Sequence, residues 1–213
     1  MSAVGIFGGT FDPVHVGHLD VAVAARRALH LDRVLFMPAN VPPHRAAPRA
    51  SAPHRFAMAA LAVSGHEGLG VLDVEMLSSE PSFTSTSLDR LAARGLDLQR
   101  TYLITGADAF RDIATWKDYP ALVDRCHFVV VSRPACQVTL LPDLLPELAG
   151  RMVVPADAGR RGGPEIVLVD AATAPVSSTD LRHRMAAGAS IAGLVPDLVA
   201  EHIRAHRLYT QES

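Results

Sequence analysis

The chain has 213 residues, a formal net charge of −2 and 49% hydrophobic residues, enough to bury the core of one substantial α/β domain. The near-neutral charge argues against a general nucleic-acid surface, which requires clustered excess Lys and Arg. The sequence shows no leader-like segment and no apolar run of membrane-spanning length, so we expect neither secretion nor membrane insertion.

Two compositional details narrow the chemistry. Cys126 and Cys136 lack the spacing of a zinc site or a disulfide framework, which favours a reduced, cytoplasmic protein. Lys117 is the only lysine, so any phosphate site must use Arg, His and backbone amides. A high-GC coding bias accounts for the scarcity of lysine equally well.

Strands and helices alternate along the sequence. Apolar runs predict strands at Val4–Phe7, Val34–Met37, Val71–Val74, Thr101–Thr105, Phe128–Val131 and Ile166–Val169. Amphipathic patterns predict helices at Val16–Leu29, Ala52–Ser64, from Thr84, at Ser177–Ala187 and at Pro196–Arg207. The Pro-rich stretch 40–48 is expected to be a loop, and 140–163 an irregular excursion. We predict a doubly wound parallel α/β sheet in one domain spanning 1–213, closed by a helical part over 177–213.

A phosphate site is predicted after the first strand. The turn Gly8-Gly9-Thr10 leads through His15 to His18 at the start of a helix. Glycine lets backbone amides approach an anion, and a helix N-terminus attracts negative charge. His15 and His18 are three residues apart, so one helical turn can direct both at one phosphate, and Gly17 leaves room for a base or ribose.

Other interpretations of this turn are weaker. It lacks the G-x-G-x-x-G pattern of a Rossmann dinucleotide site and the Gly-Lys-Ser/Thr of a P-loop. The simplest alternative is an ordinary tight turn with histidines that cap the helix. Two histidines next to a glycine turn at a strand end favour a functional site.

The late segment Ser177-Ser178-Thr179, with Arg182 one turn on, supplies hydroxyls, amides and a guanidinium at a helix start. Alone it is a capping sequence. Together with the glycine turn and the His-x-Gly-His pattern, it resembles the signature of the nucleotidyltransferase superfamily, which binds ATP with these two segments. The resemblance implies that ATP is bound by Gly8, Gly9, Thr10, His15, Gly17, His18, Gly106, Asp108, Ser177, Ser178, Thr179 and Arg182.

Further segments resemble the bacterial nicotinate mononucleotide adenylyltransferases. They are Pro38–Arg45, Pro81–Thr84, Leu103–Asp108 followed by Trp116, Arg133-Pro134, and the C-terminal stretch from Leu194 to Tyr209. This family makes nicotinate adenine dinucleotide from ATP and the mononucleotide. The resemblance implies that the mononucleotide is bound by Asn40, His44, Arg45, Thr84, Asp108, Trp116 and Arg133. Trp116 is then expected to stack on the pyridinium ring and Asp108 to hold a ribose hydroxyl, although core packing and helix capping remain alternative roles for these two residues.

Three positions depart from the family pattern: Phe83 replaces Tyr, Ser87 replaces a second Thr, and Lys117 replaces an aromatic residue. All three fall in segments assigned to the mononucleotide. They leave the choice between acid and amide forms to the resemblance, which favours the acid.

An ionised phosphate acceptor needs no general base, only alignment and charge neutralisation. We therefore expect His15, His18, Thr10 and Arg182 to act in catalysis, with no protein-held metal and with Mg²⁺ arriving on ATP. The expected partners are ATP and nicotinate mononucleotide, without nucleic acid or membrane, in a possible homo-oligomer. Phosphopantetheine adenylyltransferase and a noncatalytic nucleotide sensor are the alternative functions.

Overall fold

The structure, a computed structural model, describes residues 3–43, 47–134, 136–160 and 162–210. Its strands are β1 (Val4–Gly9), β2 (Arg33–Pro38), β3 (Leu69–Val71), β4 (Thr101–Gly106), β5 (His127–Val131), β6 (Met152–Val153) and β7 (Ile166–Val169). Its α-helices are α1 (Val16–Ala28), α2 (Ala52–Val63), α3 (Thr84–Ala93), α4 (Ala107–Phe110), α5 (Leu141–Leu144), α6 (Pro146–Ala149), α7 (Ser178–Ala186) and α8 (Asp197–Ala205). The prediction of alternating strands and helices is confirmed.

The seven strands form one sheet in the order β3-β2-β1-β4-β5-β7-β6, and all the neighbouring strands are parallel. The chain first winds outward from β1 to β3 and then returns to place β4 on the other side of β1. The strand order therefore reverses between β1 and β4. In such a sheet the crevice outside the carboxyl ends of these two strands is where ligands bind.

Helices cover both faces of the sheet, which explains why the strands are apolar without alternation. Residues that are adjacent in one strand point to opposite cores: Phe7 packs with α1, α2, α7 and α8, whereas Ile6 packs with α3 to α6. Every residue of β5 is buried. The predicted doubly wound α/β class is confirmed.

Two predicted elements differ from the structure. The strand predicted at 71–74 lies at Leu69–Val71, and the chain leaves the sheet at Leu72 after one bond to the Phe36 carbonyl. Val74 is buried from a turn, so its apolar character reflects core packing and not a strand. Within the stretch predicted to be irregular, the two-residue strand β6 adds an edge to the sheet beside β7.

The closing helices begin close to where they were predicted. Ser177 is the hydroxyl N-cap of α7, because its side chain accepts a hydrogen bond from the Asp180 N–H at 3.1 Å. Gly188 follows the helix with a φ of +68°. The extent of the domain, residues 1–213, stays a prediction. Within the described part of the chain, no helix has both the length and the apolar surface to cross a bilayer.

Candidate active site

An open cleft of about 1580 Å³ lies at the carboxyl ends of β1 and β4. Most of the predicted site residues line it: Gly8, Gly9, Thr10, His15, His18, Thr84, Gly106, Asp108, Trp116, Arg133, Ser177, Ser178, Thr179 and Arg182. Asp12 and Arg182, 170 positions apart in the sequence, therefore face one space. The structure brings the glycine turn and the late helix together, as the phosphate interpretation requires.

The two glycines of the turn have different structural reasons. A Cβ on Gly9 would lie 2.8 Å from the Phe11 ring, so packing within the turn excludes a side chain there. A Cβ on Gly8 would meet only the end of Met37, at 3.9 Å, an ordinary contact. Gly8 is exposed to the cleft, so the space beside it is available to a ligand.

The contact between His15 and His18 determines which ring nitrogen of His18 carries the proton. The backbone N–H of His15 donates to Nδ1 of His18 at 3.2 Å, which completes the cap of α1. Nδ1 must then be unprotonated, so the proton of a neutral His18 is on Nε2. Phe11 contacts the same ring edge-on, with the centroids 5.0 Å apart. His18 can thus offer an N–H donor to a ligand in the cleft.

His15 is the buried member of the pair. Its ring stacks on His18 with the centroids 3.7 Å apart, and it is only 2% exposed. Burial, together with the nearby Arg133 guanidinium, lowers the pKa of His15 to about 3. A neutral His15 lets the two imidazoles stack without charge repulsion. His15 contributes a neutral ring and not a positive charge to the site.

The start of α7 is bound directly to the segment that follows the glycine turn. The Ser178 hydroxyl donates to the Pro13 carbonyl at 2.8 Å, and Nη1 of Arg182 donates to the Asp12 carbonyl at 2.7 Å. Nη2 of Arg182 donates to the Thr179 hydroxyl at 3.1 Å. These bonds place the first-turn amides of α7, which have no partners within the helix, at the same cleft as the histidines.

The opposite wall of the cleft carries Trp116, Thr84 and Asp108. Trp116 is half-buried against the core beneath it, so the core alternative holds for part of the ring while the rest faces the cleft. Thr84 begins α3, so first-turn amides meet the cleft here too. Helix capping by Asp108 was wrong: Gly106 is the N-cap of α4 and has no side-chain bond, and Asp108 is exposed in the first turn.

The three departures from the family pattern interact within this wall. The Lys117 ammonium lies over the Phe83 ring, 5.1 Å from its centroid, a cation–π contact. The Ser87 hydroxyl forms a very short hydrogen bond with the Glu75 carboxylate and another, at 3.1 Å, with the Phe83 carbonyl. Burial raises the pKa of Glu75, an effect that this bond from Ser87 opposes. Glu75, Phe83, Ser87 and Lys117 all line the cleft. The three departures are therefore joined by contacts within one wall.

Some predicted residues are placed differently. Asn40 does not line the cleft, because its side-chain amide donates to the Ser78 carbonyl at 2.6 Å. The room expected beside Gly17 is occupied by the protein, since a Cβ there would lie 3.0 Å from the Ala174 carbonyl. Arg133 lines the cleft but donates to the carbonyls of Gly17 and Val176. His44 and Arg45 lie outside the described residues.

One buried carboxylate that lines the cleft, Asp12, was not predicted from the sequence. Asp12 is 4% exposed and accepts bonds from the backbone N–H groups of Arg49 (2.8 Å) and Ala50 (3.0 Å). The Tyr209 hydroxyl donates to it at 2.7 Å. Burial raises the pKa of Tyr209, as does its bond to Asp12, so the phenol stays protonated. Tyr209 thus fastens the C-terminal segment across the glycine turn.

Arg55 is the second residue missed. It is 1% exposed, and it donates to the carbonyls of Thr10 (2.9 Å), Asn40 (3.1 Å), Ala50 (3.2 Å) and Ala39. Burial lowers the pKa of its guanidinium. Arg55 therefore joins the ends of β1 and β2 from beneath the cleft. Nothing in the sequence marks it, because an Arg in an alanine-rich helix usually faces solvent.

Comparison with known proteins agrees with this architecture. Residues 6–184 match the family model described as cytidylyltransferase-like. A solved structure of nicotinic acid mononucleotide adenylyltransferase from Plasmodium falciparum, complexed with NaAD, aligns with a TM-score of 0.76 over 98% of both chains, at 16% sequence identity. The fold and the site thus define a nucleotidyltransferase of the cytidylyltransferase-like class.

Curated relatives narrow the class. A protein of Pseudomonas aeruginosa strain UCBPP-PA14, named "Probable nicotinate-nucleotide adenylyltransferase", is 39% identical over 206 residues, 97% of this chain and 96% of its own. A Roseiflexus protein of the same name is 39% identical over 209 residues, 97% of both chains. The chain belongs to the nicotinate-nucleotide adenylyltransferase family.

Proposed function

We propose that the chain transfers AMP from ATP to nicotinate mononucleotide, giving nicotinate adenine dinucleotide and pyrophosphate. The observation that carries this proposal is the convergence of His18 and the start of α7 on one cleft, whose opposite wall carries Trp116 and the start of α3. The first pair suits a triphosphate, and the second suits an aromatic ring with a carboxylate.

In the proposed reaction an oxygen of the mononucleotide phosphate forms a bond to the α-phosphorus of ATP. The bond from that phosphorus to the bridging β-oxygen breaks, and its electron pair leaves with pyrophosphate. The attacking oxygen is already ionised, so alignment and charge stabilisation suffice. Nε2–H of His18 donates to the phosphate as charge develops, with the buried His15 ring beside it. Thr10 positions the incoming phosphate.

Arg182 and Ser178 are assigned to the leaving pyrophosphate. Arg182 donates to the Asp12 carbonyl and to the Thr179 hydroxyl. Its remaining N–H groups can donate to phosphate oxygens. Ser178 contributes the amide of a helix first turn, while its hydroxyl anchors the helix to Pro13.

The wall of the cleft that carries Trp116 and Thr84 suits the acid form of the mononucleotide better than the amide form. The amides of the α3 first turn favour a negative group, and the Lys117 ammonium lies nearby over Phe83. Both favour a carboxylate over a neutral carboxamide. Lys117, which departs from the family pattern, thus supports the same substrate class as the family.

Pyrophosphate release from ATP, measured in parallel with nicotinate mononucleotide, nicotinamide mononucleotide and phosphopantetheine, tests the proposal. We expect the highest kcat/KM with nicotinate mononucleotide. Faster turnover of phosphopantetheine would assign the chain to that other adenylyltransferase. ATP binding without turnover of any acceptor would indicate a noncatalytic nucleotide sensor.

Replacing Trp116 by Ala should raise the KM for nicotinate mononucleotide by about tenfold and leave the KM for ATP nearly unchanged. The reason is the loss of a stacking contact worth about 1.4 kcal/mol to the ring. The matched control, Trp116→Phe, keeps an aromatic face and should recover most of the affinity. Equal increases in both KM values would contradict a ring-specific role.

Replacing Gly8 by Ala should weaken ATP binding while the melting temperature stays close to that of the parent. The added methyl meets no protein atom closer than Met37, so its steric effect falls on the ligand. Gly9→Ala is the contrasting variant, because its methyl collides with Phe11 and should lower stability. Unchanged ATP affinity in Gly8→Ala would remove Gly8 from the proposed site.

Mg²⁺ is proposed to arrive with ATP. No group of three or more acidic side chains converges in the described part of the cleft. Asp12 is occupied by two backbone N–H groups and Tyr209. With few carboxylates to hold it, a Mg²⁺ ion would be bound mainly by phosphate oxygens and water. It would supply neutralisation of the phosphate charge. EDTA should abolish turnover and added Mg²⁺ restore it, whereas turnover that persists in EDTA would contradict the assignment.

A cytoplasmic location stays a prediction; it suits the two free, buried cysteines, Cys126 and Cys136. The expectations of a possible homo-oligomer and of no nucleic-acid partner also stay predictions.

A further inference from the structure

Three histidines gather outside the cleft. His54 lies in the first turn of α2, His202 lies in α8, and His206 follows the end of α8. One ring nitrogen from each lies within 4.8 Å of the others, and Nδ1 of His54 is 3.1 Å from Nε2 of His202. The proposed reaction does not involve these residues.

The fold explains how they meet. His202 and His206 are four residues apart, so they share one face of a helix. That face packs against α2, and the ring centroids of His54 lie 5.2 Å from those of His202 and 4.8 Å from those of His206. Two helices therefore present three imidazoles to one point, with His206 open to solvent and the other two half-buried.

We propose that His54, His202 and His206 bind a divalent transition-metal ion of the zinc class. Tetrahedral coordination at Zn–N distances near 2.0 Å puts ligand nitrogens about 3.3 Å apart, so the 3.1 Å pair is already placed and the third needs a small rotamer shift. Three neutral nitrogen ligands favour zinc, nickel or copper over Mg²⁺ or Ca²⁺, which prefer oxygen. The exposed side leaves the fourth position to water.

Two of the three imidazoles already share a proton. Nδ1 of His54 and Nε2 of His202 are within hydrogen-bond distance at 3.1 Å, so one of the two nitrogens carries the proton of that bond. A metal ion would replace this proton, because imidazole binds a metal through an unprotonated nitrogen.

The location gives the site a structural consequence. His54 is the neighbour of Arg55, which binds the carbonyls of Thr10 and Asn40. His206 lies three residues before Tyr209, which binds Asp12. A metal ion would fasten α8 and the C-terminal segment to α2, one residue from Arg55 and three residues from Tyr209 in the sequence. We therefore expect zinc to stabilise the folded protein without taking part in AMP transfer.

The test is a calorimetric titration of the chelator-treated, full-length protein with ZnCl₂ alone. We expect one ion per chain with a Kd of about 10 µM or tighter, and binding about tenfold to a hundredfold weaker in His202→Asn. The control is His30→Asn, because His30 is exposed with a φ of +49°, a conformation that Asn readily adopts. Zinc should also raise the melting temperature of the parent and of His30→Asn, but not that of His202→Asn.

Two results would overturn the proposal: no saturable binding up to about 100 µM zinc, or equal binding by parent and His202→Asn. If His202→Asn folds poorly, His206→Asn decides instead, since His206 is exposed. His18→Asn must keep the zinc affinity; if it loses that affinity while His206→Asn keeps it, the ion belongs to the cleft histidines and the proposal fails. Since the titration contains no nucleotide, its outcome is independent of the proposed reaction.

Discussion

Replacing His18 by Asn should lower kcat by about a hundredfold to a thousandfold while the protein folds normally. The Asn Oδ1 occupies the position of Nδ1, so it can still accept the hydrogen bond from the His15 N–H that caps α1. The side chain has no counterpart of Nε2–H, the donor assigned to the phosphate. Asn thus separates the structural role of His18 from the chemical one.

The measurements are kcat with saturating MgATP and nicotinate mononucleotide, and the melting temperature of each variant. His30→Asn makes the same substitution at an exposed turn and should change neither quantity. A loss of rate accompanied by an equal loss of folded protein would trace the effect to the cap. Near-normal turnover of a well-folded His18→Asn would remove His18 from the mechanism.

The parts of the fold that could be predicted are those with a local signal. Buried strands such as β5 are continuous apolar runs, and Ser177 marks the start of α7 by its capping chemistry. The edges of the sheet could not be predicted, because β3 has three residues and β6 has two. Such short strands are defined by the neighbour they pair with. The 71–74 run failed because Val74 is buried without belonging to a strand.

The features of the site also divide into those with a local sequence signal and those without one. The meeting of the glycine turn with the start of α7 could be predicted because each segment is a short contiguous motif. The bond between Tyr209 and Asp12 joins positions 197 residues apart, and neither residue alone indicates it. The position of Asn40 away from the cleft lining has a related reason, because its side-chain amide donates to the Ser78 carbonyl, 38 residues away. Burial and partner geometry decide such residues, and neither is a local property of the sequence.

The three departures from the family pattern make contacts that cannot be seen when each position is considered alone. Taken one at a time, Phe83 and Lys117 each remove a group that the family has. In the structure the Lys117 ammonium covers the Phe83 ring, so the two replacements form one contact. Ser87 keeps a hydroxyl, which bonds to Glu75. The sequence showed three separate losses, whereas the structure shows paired side chains that keep a polar and aromatic wall.

Replacing Arg55 by Met should lower the free energy of unfolding by about 3 to 5 kcal/mol. Met retains most of the buried volume but removes every hydrogen bond to the carbonyls of residues 10, 39, 40 and 50. A buried carbonyl that loses its donor keeps the cost of desolvation without compensation. The Asp12 carboxylate, which opposes the lowering of the Arg55 pKa by burial, also loses a buried positive charge.

Urea unfolding measures this loss, and Arg160→Met is the matched control. Arg160 pairs with Asp157 at 2.8 Å, but the two side chains are 72% and 51% exposed, so its loss should cost less than about 1 kcal/mol. Equal stability of the two variants would mean that water replaces the guanidinium beneath the cleft.

A second effect of Arg55→Met, on the reaction rate, should appear at temperatures where the variant is still folded. Because Arg55 holds the Thr10 carbonyl, the turn proposed to position the incoming phosphate loosens. We therefore expect kcat to fall although no group proposed to contact substrate has changed.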